Sequence, residues 1–297
     1  TSACLPETAI LATSPDMPVV LATCLPICEA QADDGDGLVR ESRARCELPG
    51  GSTYCGQWLG DQADGQGSQI FPEGGKYIGE FCSWKATGRG TCEFPDGSTY
   101  VGSWLDDRAH GEGTYSLPGR SVYRGQWAHG MQDGDGTLTL QDGTRFVAQF
   151  RKGCMSGAGK LTYPQQFHER AGCSYDGQFL DDAFYGHGIY LWSDGRRYEG
   201  QWNRNRMHGQ GQFKFPDGRT YIGQYVEDQR SGAGTFEWPD GRIYQGKFWQ
   251  GKQHGCGIYK AENGSKKIGM WVNGRLRQSE DLGSIEWSNV ARRKIAV

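Results

Sequence analysis

The sequence predicts an all-β fold of about ten tandem β-hairpins, each 23 residues long, arranged as one elongated, twisted antiparallel sheet. Three recurring features predict it: an aromatic–glycine–aromatic motif, a Gly-x-Gly pair and an Asp-Gly or Asn-Gly turn, all kept in phase. Glycine accounts for 47 of the 297 residues, and aromatic residues for 12%. This composition favours short strands and tight turns covered by rings over a thick layered core.

The aromatic motif places a glycine two positions after the first aromatic residue and a second aromatic residue four positions after it. Because side chains alternate along a strand, these three positions share one face, and the glycine leaves room for neighbouring rings. Successive units are 23 residues apart, except for one step of 29 residues. The units begin at Tyr54, Tyr77, Tyr100, Tyr123, Phe146, Tyr175, Tyr198, Tyr221, Tyr244 and a worn copy at Lys267.

The Gly-x-Gly pair recurs nine times in the same phase, from Gly65/Gly67 to Gly255/Gly257. We interpret each unit as a strand, a Gly-rich loop, a second strand and an Asp-Gly turn, because glycine permits a sharp bend and these dipeptides adopt positive φ at low cost. The turn dipeptides are Asp96-Gly97, Asp142-Gly143, Asp194-Gly195, Asp217-Gly218, Asp240-Gly241 and Asn263-Gly264. Such stacked units are stabilised mainly by packing against their neighbours.

The repeats are expected to span residues 47–274, and six extra residues within 164–173 are expected to form a projecting loop. Residues 1–46 are predicted to be an extended docking segment, because four prolines interrupt their apolar part; disorder is the alternative. Residues 275–297 are predicted to be a tail that caps the last sheet edge, with a candidate short helix from Ser284.

The combination of Tyr-x-Gly-x-Trp, Gly-x-Gly and Asp-Gly at a 23-residue period resembles the MORN repeat family. The resemblance covers most of the chain and departs from the pattern at Ala148, which replaces the motif glycine, and in the unit at Lys267, which lacks both the tyrosine and the Gly-x-Gly pair. It implies scaffolding, homodimerisation, or attachment of a partner at a membrane or the cytoskeleton. Lipid binding has also been inferred for the family.

The leading hypothesis is a non-catalytic scaffold or adaptor that binds a protein partner or a multi-subunit complex, or tethers a membrane-associated or cytoskeletal complex. The aromatic row is the candidate partner-binding face. The competing interpretation is that the rings cover one another and form a thin core. The candidate residues are Tyr54, Trp58, Tyr77, Phe81, Tyr100, Trp104, Tyr123, Trp127, Tyr198, Trp202, Tyr221, Tyr225, Tyr244 and Phe248.

The charge distribution motivates a first alternative, a peripheral membrane protein. Residues 1–150 carry 20 acidic and 10 basic residues, whereas residues 151–297 carry 15 acidic and 22 basic residues. The basic half would contact anionic lipid or an acidic partner, although strong lipid recognition usually needs about 4–8 clustered basic residues. Candidate contacts are Arg204, Arg206, Arg292, Arg293 and Lys294. A net charge of −3 disfavours nucleic acid as a partner.

A second alternative is an accessory structural subunit of an organellar membrane complex. The sequence begins with Thr1 rather than Met, which is expected of a fragment or of a mature chain whose targeting peptide has been removed. The expected location is the cytoplasm, at a membrane or the cytoskeleton, and an organelle is the alternative.

No catalytic, cofactor or metal site is predicted, and the chain is not expected to be an enzyme. His110, His208 and His254 share one repeat phase, so we expect them in equivalent loops about 10 Å or more apart, too far for one metal. The Gly-rich segments lack the Lys-Ser/Thr and helix of a phosphate-binding loop. The pairs Asp106-Asp107 and Asp181-Asp182 are interpreted as solvated turns.

Overall fold

The computed structural model describes residues 39–165 and 170–282. These residues form twenty-one β-strands, assigned to a single antiparallel sheet, and include no helix. The all-β class and the tandem antiparallel hairpins are therefore confirmed. Two compact units divide between Gly157 and Ala158, and they are called the N-terminal unit (residues 39–157) and the C-terminal unit (residues 158–282) below.

In the N-terminal unit each strand pairs with the next one along the chain. Its strands are β1 (Glu41–Glu47), β2 (Thr53–Leu59), β3 (Gln62–Ile70), β4 (Lys76–Cys82), β5 (Lys85–Glu93), β6 (Thr99–Leu105), β7 (Arg108–Leu117), β8 (Ser121–Ala128), β9 (Met131–Leu140) and β10 (Arg145–Arg151). The division between the units falls within β11 (Cys154–Thr162).

The C-terminal unit repeats the same pairing of consecutive strands. Its strands after β11 are β12 (Ser174–Leu180), β13 (Ala183–Leu191), β14 (Arg197–Asn203), β15 (Arg206–Lys214), β16 (Thr220–Val226), β17 (Gln229–Glu237), β18 (Ile243–Trp249), β19 (Lys252–Lys260), β20 (Lys266–Val272) and β21 (Arg275–Leu282). Each 23-residue unit thus consists of an even-numbered strand and the odd-numbered strand that follows it, such as β6 and β7.

The Gly-x-Gly pairs lie inside the second strand of each hairpin, so the interpretation of these segments as loops was wrong. Gly111 and Gly113, for example, belong to β7. The register of β6 against β7 shifts after Gly102, which faces Gly113, while Ser103 faces His110. Gly111 adopts positive φ at this bulge, and the second glycine lets the two backbones approach closely.

A side chain of the first strand satisfies the backbone at most of these bulges. Gln201 Oε1 accepts a hydrogen bond of 2.7 Å from the N–H of Gln210, and Gln57 Oε1 accepts one of the same length from Gln66. Glu80 does the same for Arg89 at 3.1 Å. These side chains therefore satisfy the backbone N–H groups that the bulge removes from the strand pairing. The second strand can thus hold two extra residues without leaving these donors unpaired.

Two kinds of turn alternate along the chain. The Asp-Gly turns join one hairpin to the next: the carbonyl of Phe94 accepts from the N–H of Gly97 at 2.9 Å, and Asp96 Oδ1 accepts from the N–H of Ser98 at 2.9 Å. The turns inside the hairpins have two residues, and both adopt positive φ even where neither is glycine, as at Asp106 and Asp107. The sequence analysis did not identify these two-residue turns as the hairpin turns.

The second residue of most two-residue turns is hydrogen-bonded to the hairpin before it. The N–H of Asp107 donates to the carbonyl of Ala86 at 3.1 Å, and Asp107 Oδ1 accepts from the N–H of Ala86 at 2.7 Å. Asn205 and Asp228 make the same two contacts with the residues 21 positions earlier. Asp107 is therefore a structural ligand of the previous hairpin, and its interpretation as a solvated turn residue was wrong.

Substitution of Asp107 separates the side-chain contribution from the backbone contribution. Asp107→Ala removes the acceptor of the Ala86 N–H, and we expect a loss of about 1–2 kcal/mol in the free energy of unfolding. Asp107→Asn should retain most of the stability, because Asn205 already performs this role. Urea denaturation of both variants checks the prediction, and equal losses for the two would contradict it.

The predicted terminal segments are described only in part. Within 1–46, Glu41–Glu47 form β1, which pairs antiparallel with β2. Within 275–297, Arg275–Leu282 form β21, whereas the candidate helix from Ser284 lies outside the described residues. Four residues of the predicted projecting loop, 166–169, also lie outside them. The docking and capping roles of these segments stay predictions.

Candidate protein-interaction surface

The aromatic residues of the repeats form the core of the sheet on one face. All fourteen candidate partner-binding residues are buried; the most exposed is Trp58, at 7%. Each first ring lies edge-on to the second aromatic of its own strand and to that of the next hairpin, as for Tyr100 with Trp104 at 5.0 Å and with Trp127 at 5.2 Å. Their role in partner binding stays a prediction, and in this conformation neighbouring rings cover them.

The hydroxyl of each tyrosine that begins a unit donates a hydrogen bond to a carbonyl of its own strand. Tyr100 donates to the carbonyl of Ser103 at 2.9 Å, and Tyr54 donates to that of Gln57 at 2.8 Å. Eight tyrosines make this contact with the residue three positions on: Tyr54, Tyr77, Tyr100, Tyr123, Tyr175, Tyr198, Tyr221 and Tyr244. Burial raises the pKa of Tyr54 and of Tyr221 to about 12.

The opposite face of the N-terminal unit, here called the open face, carries a row of side chains that is accessible to a partner. Cross-strand pairing places Ile78 beside Thr91, Thr91 beside Val101, and Val101 beside Thr114. Ile78 is 48% exposed and Val101 is 52% exposed. Apolar and threonine side chains therefore alternate across successive strands, and an apolar residue recurs about every 9.6 Å, two strand spacings.

A groove of about 520 Å³ lies over this row. Its walls carry both charges, because Arg89 and Glu112 come from the bulge positions of β5 and β7, and Arg124 comes from β8. Its floor is formed in part by the backbone of Gly79, Gly90, Gly102 and Gly113. The groove thus combines apolar anchors, a flat floor and charged rims, the composition that protein-binding surfaces share.

The equivalent row of the C-terminal unit has a different character. Ile189 pairs with Glu199, Gln212 with Ile222, and Thr235 with Gln245. Glu199 forms an ion pair of 2.7 Å with Arg197. This row has more charged and amide side chains, although it also contains the apolar pair Ile258 and Ile268. The candidate surface is the groove over Ile78 and Val101, where apolar residues alternate with threonine.

The repeat pattern does not reveal the residues of the open face, because these residues vary between units. Ile78 and Val101 occupy the position between the first aromatic and the glycine, where Arg124 and Asp176 occur in other units. The sequence does contain an indication of this surface. Branched apolar residues stand at alternating positions opposite the buried face, which is unusual for a face that contacts only solvent.

Several basic residues of the C-terminal unit form ion pairs with nearby carboxylates. Arg196, Arg219 and Arg242 follow Asp-Gly turns, and each forms an ion pair with the turn aspartate at 2.7–2.8 Å while its guanidinium lies over the aromatic ring that starts the turn. Arg206 pairs with Glu227 at 3.0 Å, and Arg204 adopts positive φ in a two-residue turn. Arg292, Arg293 and Lys294 lie outside the described residues.

His110, His208 and His254 lie in strands rather than in the loops expected for them. The ring of His110 lies 5.9 Å from that of His129, which belongs to a two-residue turn. Within residues 39–165 and 170–282, no group of three or more His, Cys, Asp or Glu side chains is arranged to hold a metal ion. Of the cysteines in these ranges, Cys46, Cys55, Cys82, Cys92, Cys173 and Cys256 form no disulfide. The same ranges contain no helix of the length and apolarity needed to cross a membrane.

Comparison with solved structures gives weak similarity to TCP domains. The chain is 12% identical to the TCP10 domain of Danio rerio CPAP, with a TM-score of 0.30 over 80% of this chain and 99% of that one. It is 14% identical to the TCP10c domain of Drosophila melanogaster Sas-4, with a TM-score of 0.31 over 54% of this chain and 93% of that one. No curated protein matches the sequence.

The model of the MORN repeat matches the chain nine times. The matched residues are 54–76, 85–99, 100–122, 123–145, 146–166, 175–196, 198–218, 221–241 and 244–266. They coincide with the hairpins whose aromatic–glycine–aromatic strand builds the core, and the MORN repeat is a non-catalytic repeat type that generally mediates protein or membrane interactions. The chain therefore belongs to the MORN repeat family.

Proposed function

We propose that this chain is a non-catalytic scaffold that binds an extended segment of a protein partner on the open face of its N-terminal unit. The supporting observation is the row of exposed Ile78 and Val101 in a 520 Å³ groove, on the face that the core rings do not use. An extended segment in the polyproline II conformation has three residues per turn and rises about 3.1 Å per residue, so an apolar side chain at every third residue lies on one side and matches the spacing of about 9.6 Å between these anchors.

The scaffold is proposed to hold this partner within a membrane-associated or cytoskeletal complex in the cytoplasm. The pairing of Arg196, Arg219 and Arg242 with turn aspartates argues against a lipid-binding role for that part of the basic half, because a paired guanidinium contributes little net attraction to an anionic surface. Protein binding is therefore the function that the surface chemistry favours.

The proposal predicts that charge on the open face weakens partner binding. Val101→Glu places a carboxylate among the apolar anchors and should weaken binding at least about tenfold, since central apolar anchors dominate interface energies. Partners would be captured with a photo-crosslinking residue at position 101, purified, and titrated against wild type and variant.

Ile222→Glu is the matched control, because Ile222 occupies the same repeat position in the C-terminal unit and is 49% exposed. Circular dichroism should show both variants folded, because exposed substitutions rarely change stability by more than about 0.5 kcal/mol. Equal effects of the two substitutions on the captured partner would contradict an N-terminal binding face.

A further inference from the structure

Arg230 is a cation on the core face of the sheet, at a position that other hairpins fill with small, apolar or amide residues. It faces Tyr225 across the β16–β17 pair. The equivalent residues facing the second aromatic are Ala63, Ala86, Ala109, Gln132, Phe184, Met207, Gln253 and Leu276. Among these described pairs, Arg230 is the one that carries a charge.

The guanidinium of Arg230 is surrounded by rings. Its Cζ atom lies 5.6 Å from the centre of Tyr221, 5.3 Å from Phe236 and 5.6 Å from Phe248. Burial lowers the pKa of Arg230, and the groups that act on its charge are the hydroxyls of Tyr225 and Tyr221 and the guanidinium of Arg219. Cation–π contacts offset part of the desolvation cost, but no carboxylate of the described residues pairs with it.

A cavity of about 270 Å³ opens beside this cation. Its lining includes Arg230, Phe236, Trp238, Phe248 and Lys252. Lys252 is exposed and forms no ion pair with a described residue, whereas Arg219, at the margin, is neutralised by Asp217 at 2.8 Å. The cavity thus offers two unneutralised cations between aromatic walls.

We propose that this cavity binds the carboxylate side chain of an acidic residue in a partner peptide, with an adjacent apolar residue against the aromatic walls. A guanidinium in apolar surroundings gains most from a charge-assisted pair with a carboxylate. The volume lies below the usual range of about 300–1,000 Å³ for small-molecule pockets, so a side chain fits it better than a nucleotide or cofactor. Two free cations are fewer than the 4–8 typical of lipid-headgroup sites.

The proposed carboxylate site rests on the scaffold function proposed above. Its test is separate from the test of the open face. The probe is the dipeptide N-acetyl-leucyl-glutamyl amide, compared with N-acetyl-leucyl-glutaminyl amide, and the readout is the guanidinium NMR signal of Arg230 together with tryptophan fluorescence. We expect the glutamyl dipeptide to shift both signals saturably and the glutaminyl dipeptide to bind at least about tenfold more weakly.

Two variants complete the test. Arg230→Met copies the residue at Met207, so it should fold, raise the melting temperature by removing an unpaired charge, and abolish the difference between the dipeptides; Arg230→Lys should keep part of the difference. Val101→Glu should leave dipeptide binding unchanged. Equal binding of the two dipeptides to wild type would overturn the inference, and so would Arg230-dependent binding of phosphatidylserine vesicles without dipeptide binding.

Discussion

Replacement of Gly90 by alanine is expected to destabilise the N-terminal unit by about 3 kcal/mol or more. A Cβ atom at this position would lie 2.6 Å from both Cε2 and Cζ of Tyr77. The ring cannot move aside, because Tyr77 is 1% exposed and its hydroxyl donates to the carbonyl of Glu80 at 3.0 Å. Overpacking of a closed core typically costs about 1–3 kcal/mol, and here all three of the nearest atoms belong to this one buried ring.

Urea denaturation followed by circular dichroism measures this loss. Gly97→Ala is the matched control: its position has positive φ but no atom within 4 Å of the added Cβ, so it should cost only about 1–2 kcal/mol of backbone strain. Combining Gly90→Ala with Tyr77→Leu should recover part of the loss, because the two substitutions share one space. A Gly90→Ala variant as stable as the Gly97→Ala control would show that the ring does not close over this glycine.

A second large effect is expected at alkaline pH. Burial is the main cause of the raised tyrosine pKa values, with Tyr54 at about 12 and Tyr77, Tyr100, Tyr123 and others raised in the same direction. Because the folded-state pKa lies above the unfolded value of about 10, the neutral phenol is favoured by folding. Stability is therefore complete below pH 10 and is lost as the pH rises through the folded-state values.

Each such tyrosine removes at most about 1.4 kcal/mol per pH unit, and many titrate together, so unfolding should be steep. Tyrosinate absorbance and the sheet signal in circular dichroism should change together above pH 10. Tyr54→Phe should lower the number of protons released on unfolding by one. Gradual tyrosinate formation near pH 10 with an unchanged sheet signal would contradict burial of these hydroxyls.

The sequence was sufficient to place the recurring rings on one side of the sheet, but it did not decide whether they bind a partner or form the core. Tyr100, Gly102 and Trp104 alternate along one strand, and period and residue type together leave one arrangement in which the rings meet. The position of Gly111 and Gly113 could not be derived in the same way, because a glycine pair fits a loop and a bulged strand equally well. Only the register of β6 against β7 distinguishes the two.

The candidate surfaces were less accessible to sequence reasoning. Ile78 and Val101 do not recur in every unit, so the repeat pattern gives them no weight, and their exposure depends on which face the rings occupy. Arg230 is visible in the sequence as a charged residue at the repeat position that Ala86 and Ala109 occupy in other units. Its position among aromatic rings, however, follows only from three-dimensional packing. A repeat pattern reveals the residues that all units share, whereas the candidate binding residues are among those that differ between units.

The hydrogen bonds from most two-residue turns to the residue 21 positions earlier bear on how such a chain can evolve. Duplication or loss of one whole unit preserves this separation, whereas insertion or deletion of one or two residues within a hairpin changes it for the contacts that span the altered site. The extra residues of the 29-residue step enter between β11 and β12, at a connection between hairpins. Gene duplication can therefore lengthen this protein in steps of 23 residues, and substitutions such as those at Ile78, Val101 and Arg230 then give individual units different surfaces.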